Sequence, residues 1–272
     1  MTQSSLSGAE GAPSAARTIG VSKLKNRIRV VASFVVLSAG ALVMLAAAIP
    51  TLGLARRFYS EIIGRAIGSV ILRLWGVQSV VHRSRPLPAG QAIYIANHTS
   101  TIDVFLLIAL GLPRTRFFMF GAVRRIVPLA VIGYLIRIFW TAPQDFPEQR
   151  RRIFARADRI LRRSGDSVYL SPEGMRVVNG EVGHFNKGSF HLATSLHAPI
   201  IPIYIAIPRE INPGMGYEAQ PGQIDLWFLP PIETLDWRLD DLEKNRDAVH
   251  DLYLHVHDTV RATGKPPAEL VA

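Results

Sequence analysis

The sequence predicts an α/β fold: one domain built on a mixed β-sheet flanked by helices, preceded by an N-terminal hydrophobic membrane helix or helical hairpin. Three observations carry this. From Val77 onward, short runs rich in Val, Ile, Tyr and Phe alternate with longer helical stretches, the pattern a helix-flanked sheet requires. No residue from Val30 to Ala55 is charged. The chain has 272 residues and neither an internal repeat nor a long low-complexity linker, which fits one sizeable core.

Taken in order, residues 1–22 are a leader rich in Ser, Ala and Gly, of the composition that stays disordered. Residues 23–75 read as membrane-associated helices. Val30 to Ile49 makes a helix of about 30 Å, the hydrocarbon thickness of a bilayer. Lys23, Lys25, Arg27 and Arg29 precede it, and Arg56, Arg57 and Arg65 follow. Positive charge on both flanks fits an in-plane or re-entrant hairpin turning near Pro50 and Gly53, with both ends cytoplasmic; a single span is the alternative. A cleaved signal peptide fits less well, because the apolar stretch exceeds a usual h-region and the leader is long.

A helix is expected over Glu61 to Leu74. The main domain, 76–262, then offers strands at Val77 to His82, Gln91 to Ala96, Arg116 to Phe120, Ile138 to Thr141, Ser167 to Leu170, Pro199 to Ile207 and Ile224 to Phe228. Ile126 to Ile136 is too short to span a bilayer and is expected to pack in the core or line an acyl-chain cavity. The clearest helix is Pro147 to Arg163, with proline at its first position, Glu148 in its first turn and Gly165 beyond its end. Ile153, Phe154, Ala157, Ile160 and Leu161 form its apolar stripe. Arg150, Arg151, Arg152, Arg156, Arg159, Arg162 and Arg163 fill the remainder, and read as a solvated face, with lipid headgroups or an acidic carrier as alternative contacts. Residues 263–272 form a tail.

Composition narrows the function. The absence of cysteine excludes disulfides, thiolate nucleophiles and cysteine-ligated metals. A formal charge of +10 on a chain that is 49% hydrophobic points to an anionic membrane surface. Nucleic acid is disfavoured, since the basic residues lack interleaved aromatics or a recognised nucleic-acid fold signature.

Two motifs bear chemistry. In Tyr94-Ile95-Ala96-Asn97-His98-Thr99-Ser100-Thr101-Ile102-Asp103 a strand ends at Ala96 and a helix is expected from about Thr101 to Leu110. His98 then lies on the turn and Asp103 in the first helical turn, where the carboxylate can fix one ring nitrogen and leave the other as a general base. Further along, Ser171-Pro172-Glu173-Gly174-Met175-Arg176 and Phe185-Asn186-Lys187-Gly188 give a strand-to-turn element followed by basic residues. Arg176 and Lys187 suit an anion such as phosphate. Singly, each is an ordinary cap or surface loop.

Together, in this order, the motifs resemble the glycerolipid acyltransferase family over about Gly76 to Ile207. The family's Asn-His with four residues before Asp is matched by Asn97, His98 and Asp103. Its Phe-Pro-Glu-Gly-Thr-Arg motif is matched in part by Ser171 to Arg176, its Phe-x-Lys-Gly by Phe185 to Gly188, and a proline-bounded strand entry by Pro199 to Pro202. Ser171 and Met175 depart from it. A further family motif ending in arginine is represented only by Ile138-Phe139-Trp140-Thr141, and no arginine follows Thr141. In the family that arginine helps to bind the acceptor phosphate, so its absence bears on the choice of lysolipid.

The resemblance implies transfer of a fatty acyl group from acyl-CoA or acyl carrier protein to the hydroxyl of a lysophospholipid, foremost 1-acylglycerol 3-phosphate, at the cytoplasmic face of the inner membrane. His98 and Asp103 are the expected catalytic pair, and Asn97, Glu173, Gly174, Arg176 and Lys187 the expected substrate-binding residues, with Asn97 also expected to support the turn. No cofactor or metal is expected beyond the acyl donor as co-substrate; the partners are membrane lipids and that donor. Oxyanion donors are sought in the backbone after His98 or around Gly174. Another lysolipid acceptor, or a lipid-binding protein without catalysis, are the competing readings. His250, Asp251, His255, His257 and Asp258 cluster on a C-terminal helix expected to be solvated, although Asp251 and His255 have a spacing that a metal can use. His184, His191 and His197 read as structural or peripheral.

Overall fold

The computed structural model describes residues 14–211, 214, 216 and 218–270, with side chains from residue 23 onward. Of the expected leader, residues 1–13 lie outside the described residues.

Helix α1 runs Ser14–Thr51 and ends on two left-handed residues, Leu52 (φ 50°) and Gly53 (φ 67°). The chain then turns back through a π-helical segment, Phe58–Gly64, into α2, Arg65–Leu74. The pair is an antiparallel hairpin. Thr51 is hydrogen-bonded to the Tyr59 hydroxyl near the turn, Gly40 lies against the Ile67 side chain, and Trp75 Nε1 donates to Ser33 Oγ at 3.0 Å at the open end.

Lys23–Thr51 is the one helix among the described residues long and apolar enough to cross a membrane. Leu37, Ala41 and Met44, spaced on one face, are buried, while Val31, Phe34, Val35, Leu42, Val43 and Ile49 stay exposed. Burial of the first set is worth about 1.5–3 kcal/mol for each large side chain. The exposed set would be costly in water and demands another apolar environment.

Strands β1 (Val77–His82), β2 (Ile93–Ala96), β3 (Thr115–Phe120), β4 (Phe139–Thr141), β5 (Ser167–Leu170), β6 (Ile200–Ala206) and β7 (Gly222–Phe228) form one sheet in the order β1-β7-β6-β2-β5-β3-β4. Neighbours are parallel except β6 and β7. The central strands β2 and β5 are buried throughout, as their unbroken apolar runs require.

Helices α3 (Asp103–Ala109) and α4 (Val127–Leu135) join α1 and α2 on one face of the sheet. On the other pack α5 (Pro147–Ser164), α6 (Gly188–Leu196) and α7 (Leu242–Thr263). Val249, Tyr253, Val256 and His257 of α7 are buried, so that helix is not the solvated one expected: it covers the sheet, and its histidines follow. His257 is hydrogen-bonded through Nδ1 to the Tyr204 hydroxyl at 2.8 Å, and His250 Nε2 to Gly183 O at 3.1 Å.

Arg56, counted above as a flanking charge, is also buried. Its Nη2 meets Asp166 Oδ1 at 2.6 Å, and Arg116 Nε meets the other oxygen at 2.9 Å. Two guanidinium groups on one carboxylate satisfy each other where water is absent, and they bind the hairpin turn to the amino end of β5.

Candidate active site

The order of the strands places the site. From β2 the chain leaves over one face through α3 and returns as β3, beyond β5. From β5 it leaves over the other face through α6 and returns as β6, on the far side of β2. Connections that part in opposite directions open a crevice at the carboxyl ends of adjacent parallel strands, where ligands of open α/β sheets bind. Both sequence motifs begin there.

At the end of β2 the backbone must stop pairing for His98 to swing over the crevice. Asn97 makes that possible. Its buried amide donates from Nδ2 to Ile205 O at 3.0 Å and accepts at Oδ1 from Ile205 N at 2.8 Å, doing with a side chain what another ladder pair would do. Expected to bind substrate, Asn97 instead spends both polar ends on β6.

His98 Nδ1 lies 2.8 Å from Asp103 Oδ2. The same oxygen accepts from Thr99 N at 2.9 Å and Ser100 N at 3.0 Å, so the loop closes around the carboxylate that begins α3. An ionised carboxylate only accepts, so Nδ1 carries the proton toward Asp103 and Nε2 is left with its lone pair. The Asp103 side chain is 1% exposed and that of His98 23%. The carboxylate is sealed and the imidazole is reachable.

Glu173 supports the turn from below. Its Oε2 accepts from His98 N at 2.6 Å and its Oε1 from Gly183 N at 2.9 Å. Burial pushes its carboxyl up to about 7, against the pull of the two N–H groups and of His98. Glu173, too, was expected to face substrate; both its oxygens face backbone. His98 O accepts from Val177 N at 2.8 Å, which joins the two motif loops again.

Of the expected cations, Arg176 reaches the first motif, its guanidinium donating to Thr101 Oγ1, which in turn donates to Gly216 O at 2.8 Å. Lys187 turns to α7 and pairs with Glu243. The N–H groups proposed for an oxyanion are already committed: those of Thr99 and Ser100 point at Asp103, and Gly174 N donates to Ser171 O at 3.3 Å. Gly174 adopts φ 70°, which its lack of a Cβ permits.

One residue of the site was read otherwise from the sequence. Arg150, assigned to a solvated face of α5, is half-buried beside Gly174, with Gln144 next to it. Its place in the first helical turn, next to a break at Pro147, was the available signal, since the start of a helix can face a neighbouring loop that its middle cannot.

Comparison with known proteins agrees with this fold. The acyltransferase family model matches residues 78–206, from β1 through β6. The chain is 28% identical over 197 residues to a 1-acyl-sn-glycerol-3-phosphate acyltransferase of Limnanthes alba, covering 70% of this chain and 67% of that one. It is 25% identical over 203 residues to the alpha 1-acyl-sn-glycerol-3-phosphate acyltransferase of Homo sapiens, covering 71% and 68%. The crystal structure of the 1-acyl-sn-glycerophosphate acyltransferase of Thermotoga maritima superposes with a TM-score of 0.63 at 20% identity, over 86% of this chain and 98% of that one, and shares its fold. Over residues 78–206 the chain is similar to the acyltransferase family, and its likeness to these relatives points the same way.

Proposed function

We propose that the protein transfers a fatty acyl group from a thioester, acyl-CoA or acyl carrier protein, to the free hydroxyl of 1-acylglycerol 3-phosphate. The observation that carries this is the 2.8 Å contact between a reachable imidazole and a sealed carboxylate at the mouth of the crevice. His98 Nε2 takes the hydroxyl proton as the acceptor oxygen attacks the thioester carbonyl. Asp103 stabilises the imidazolium that forms. When the tetrahedral intermediate collapses, the C–S bond breaks and the imidazolium returns the proton to the departing thiolate. The acyl group moves directly between the two substrates, and the chain contains no cysteine to hold it.

The protein is membrane-associated, and α1 supplies the apolar surface for it. The packing of one face of α1 along the domain supports a helix that lies in the interface with the hairpin, with the active site facing the cytoplasm at the inner membrane. Lys23, Lys25, Arg27 and Arg29 ahead of the apolar run support that side.

Thiol release from acyl-CoA, followed with lysophosphatidic acid as acceptor, tests the reading. His98→Ala should lower turnover by about 10²–10⁴-fold or more, the contribution of a positioned base, while the circular dichroism spectrum stays native. Undiminished activity in that variant would remove the base from the mechanism.

A further inference from the structure

Three side-chain nitrogens converge where Gly174 lacks a side chain. A Cβ built there would lie 2.8 Å from Asn186 Nδ2, 3.4 Å from Gln144 Nε2 and 3.5 Å from Arg150 Nη2. Asn186 is committed: its amide donates to Glu173 O at 2.7 Å and Pro172 O at 3.2 Å. Gln144 and Arg150 are different. Among the described residues, neither side chain has a hydrogen-bond acceptor or an acid partner, although acids lie elsewhere on the same helix.

A half-buried guanidinium without an anion is costly, since it gives up part of its hydration for nothing. The same helix holds Arg152, Arg156 and Arg159 exposed, so an inward arginine is not imposed by the composition of α5. Glu173, the residue directly before Gly174, holds His98 N at 2.6 Å. The open guanidinium therefore stands one residue from the support of the base, and no Cβ separates it from the crevice.

We infer that Arg150, assisted by Gln144, binds the acceptor's phosphate monoester at the Gly174 turn. This rests on the proposed function and assigns the headgroup contact within it. The charge comes from the first turn of the helix that follows β4, where a planar fork can take two phosphate oxygens at once. Gly174 is required because a side chain there would occupy the anion's place.

The test compares Arg150→Gln with Arg156→Gln, an exposed arginine on the same helix, in the full chain. Initial rates with lysophosphatidic acid and acyl-CoA should show the acceptor KM raised on the order of tenfold to a hundredfold in R150Q, as loss of a charge-assisted hydrogen bond gives, with the donor KM unchanged. R156Q should match the wild type. A second arm titrates glycerol 3-phosphate into the detergent-solubilised protein by calorimetry, and its heat should vanish in R150Q and persist in R156Q. Arg150→Lys, which keeps the charge without the fork, should fall between.

Several results would overturn the assignment: an equal loss in both glutamine variants, which marks a general field; a raised donor KM in place of the acceptor KM, which marks a site for the donor's phosphates; or unchanged glycerol 3-phosphate binding in R150Q. Melting curves guard against misfolding, and removal of Arg150 strands no partner. Should the wild type fail to acylate lysophosphatidic acid, the proposed function falls, while the calorimetric arm still decides whether Arg150 holds a phosphate.

Discussion

At Asp103 one oxygen serves three donors, two from backbone and one from His98, and this arrangement couples the loop's shape to the tautomer of its histidine. Glu173 does the corresponding work on the other side of the backbone, at a cost. Its carboxyl is pushed up to about 7 by burial, so the folded protein holds that proton more tightly than the unfolded chain does. The associated stability is complete below the ordinary value of 4.5 and is lost as pH rises through about 7, a swing of about 3 kcal/mol at most. Glu173→Gln has nothing to ionise. Its melting temperature relative to wild type should therefore climb between about pH 5 and pH 8, and a difference independent of pH would show that the carboxyl titrates normally. His98 and Asp103 were legible in the sequence because both lie on one short turn. The duty of Glu173 was not, since its partner His98 N comes from distant chain, and a polar residue near a motif reads as a substrate ligand until its partners are known.

Among the elements, α2 and α3 touch at Gly68, where a Cβ would stand 2.9 Å from Phe105 O and 3.0 Å from Ala109 N. Both obstacles are backbone, so neither can rotate away. Gly68→Ala should therefore part the two helices and destabilise the protein by about 1–3 kcal/mol, read as a lower midpoint in chemical denaturation; an unchanged midpoint would mean that α3 moves freely. Displacement of α3 also carries Asp103 with it, so activity should fall in step. The strands were legible one by one, Val77–His82 and Ser167–Leu170 to the residue, since each is a compact β-rich run. Helix α6 was not read from the sequence. Its nine residues begin directly after Lys187 with no side-chain cap, and their apolar positions point into a face defined by α5 and α7 rather than by any period of their own.

For the molecule as a whole, the clamp of Arg56 and Arg116 on Asp166 joins the membrane hairpin to the sheet. Asp166→Ala would leave two buried guanidinium groups facing each other, at a cost of about 3–5 kcal/mol. Thermal unfolding in detergent should show that loss, and a variant as stable as wild type would mean that water replaces the carboxylate. The α/β class could be read from the alternation of runs. The strand order could not, because it depends on which face each crossover takes, and that choice is made by packing between remote segments.

Leu37, Ala41 and Met44 of α1 belong to the same packed interior as Tyr94 and Ala96 of β2, two positions from His98. The anchor is thus no tether. Whatever tilt and depth α1 takes in a lipid leaflet, the imidazole takes as well, and its height above the glycerol backbones is fixed when the chain folds. For the proposed reaction, leaflet thickness then becomes a variable of turnover, because a bilayer that lifts the helix lifts His98 with it.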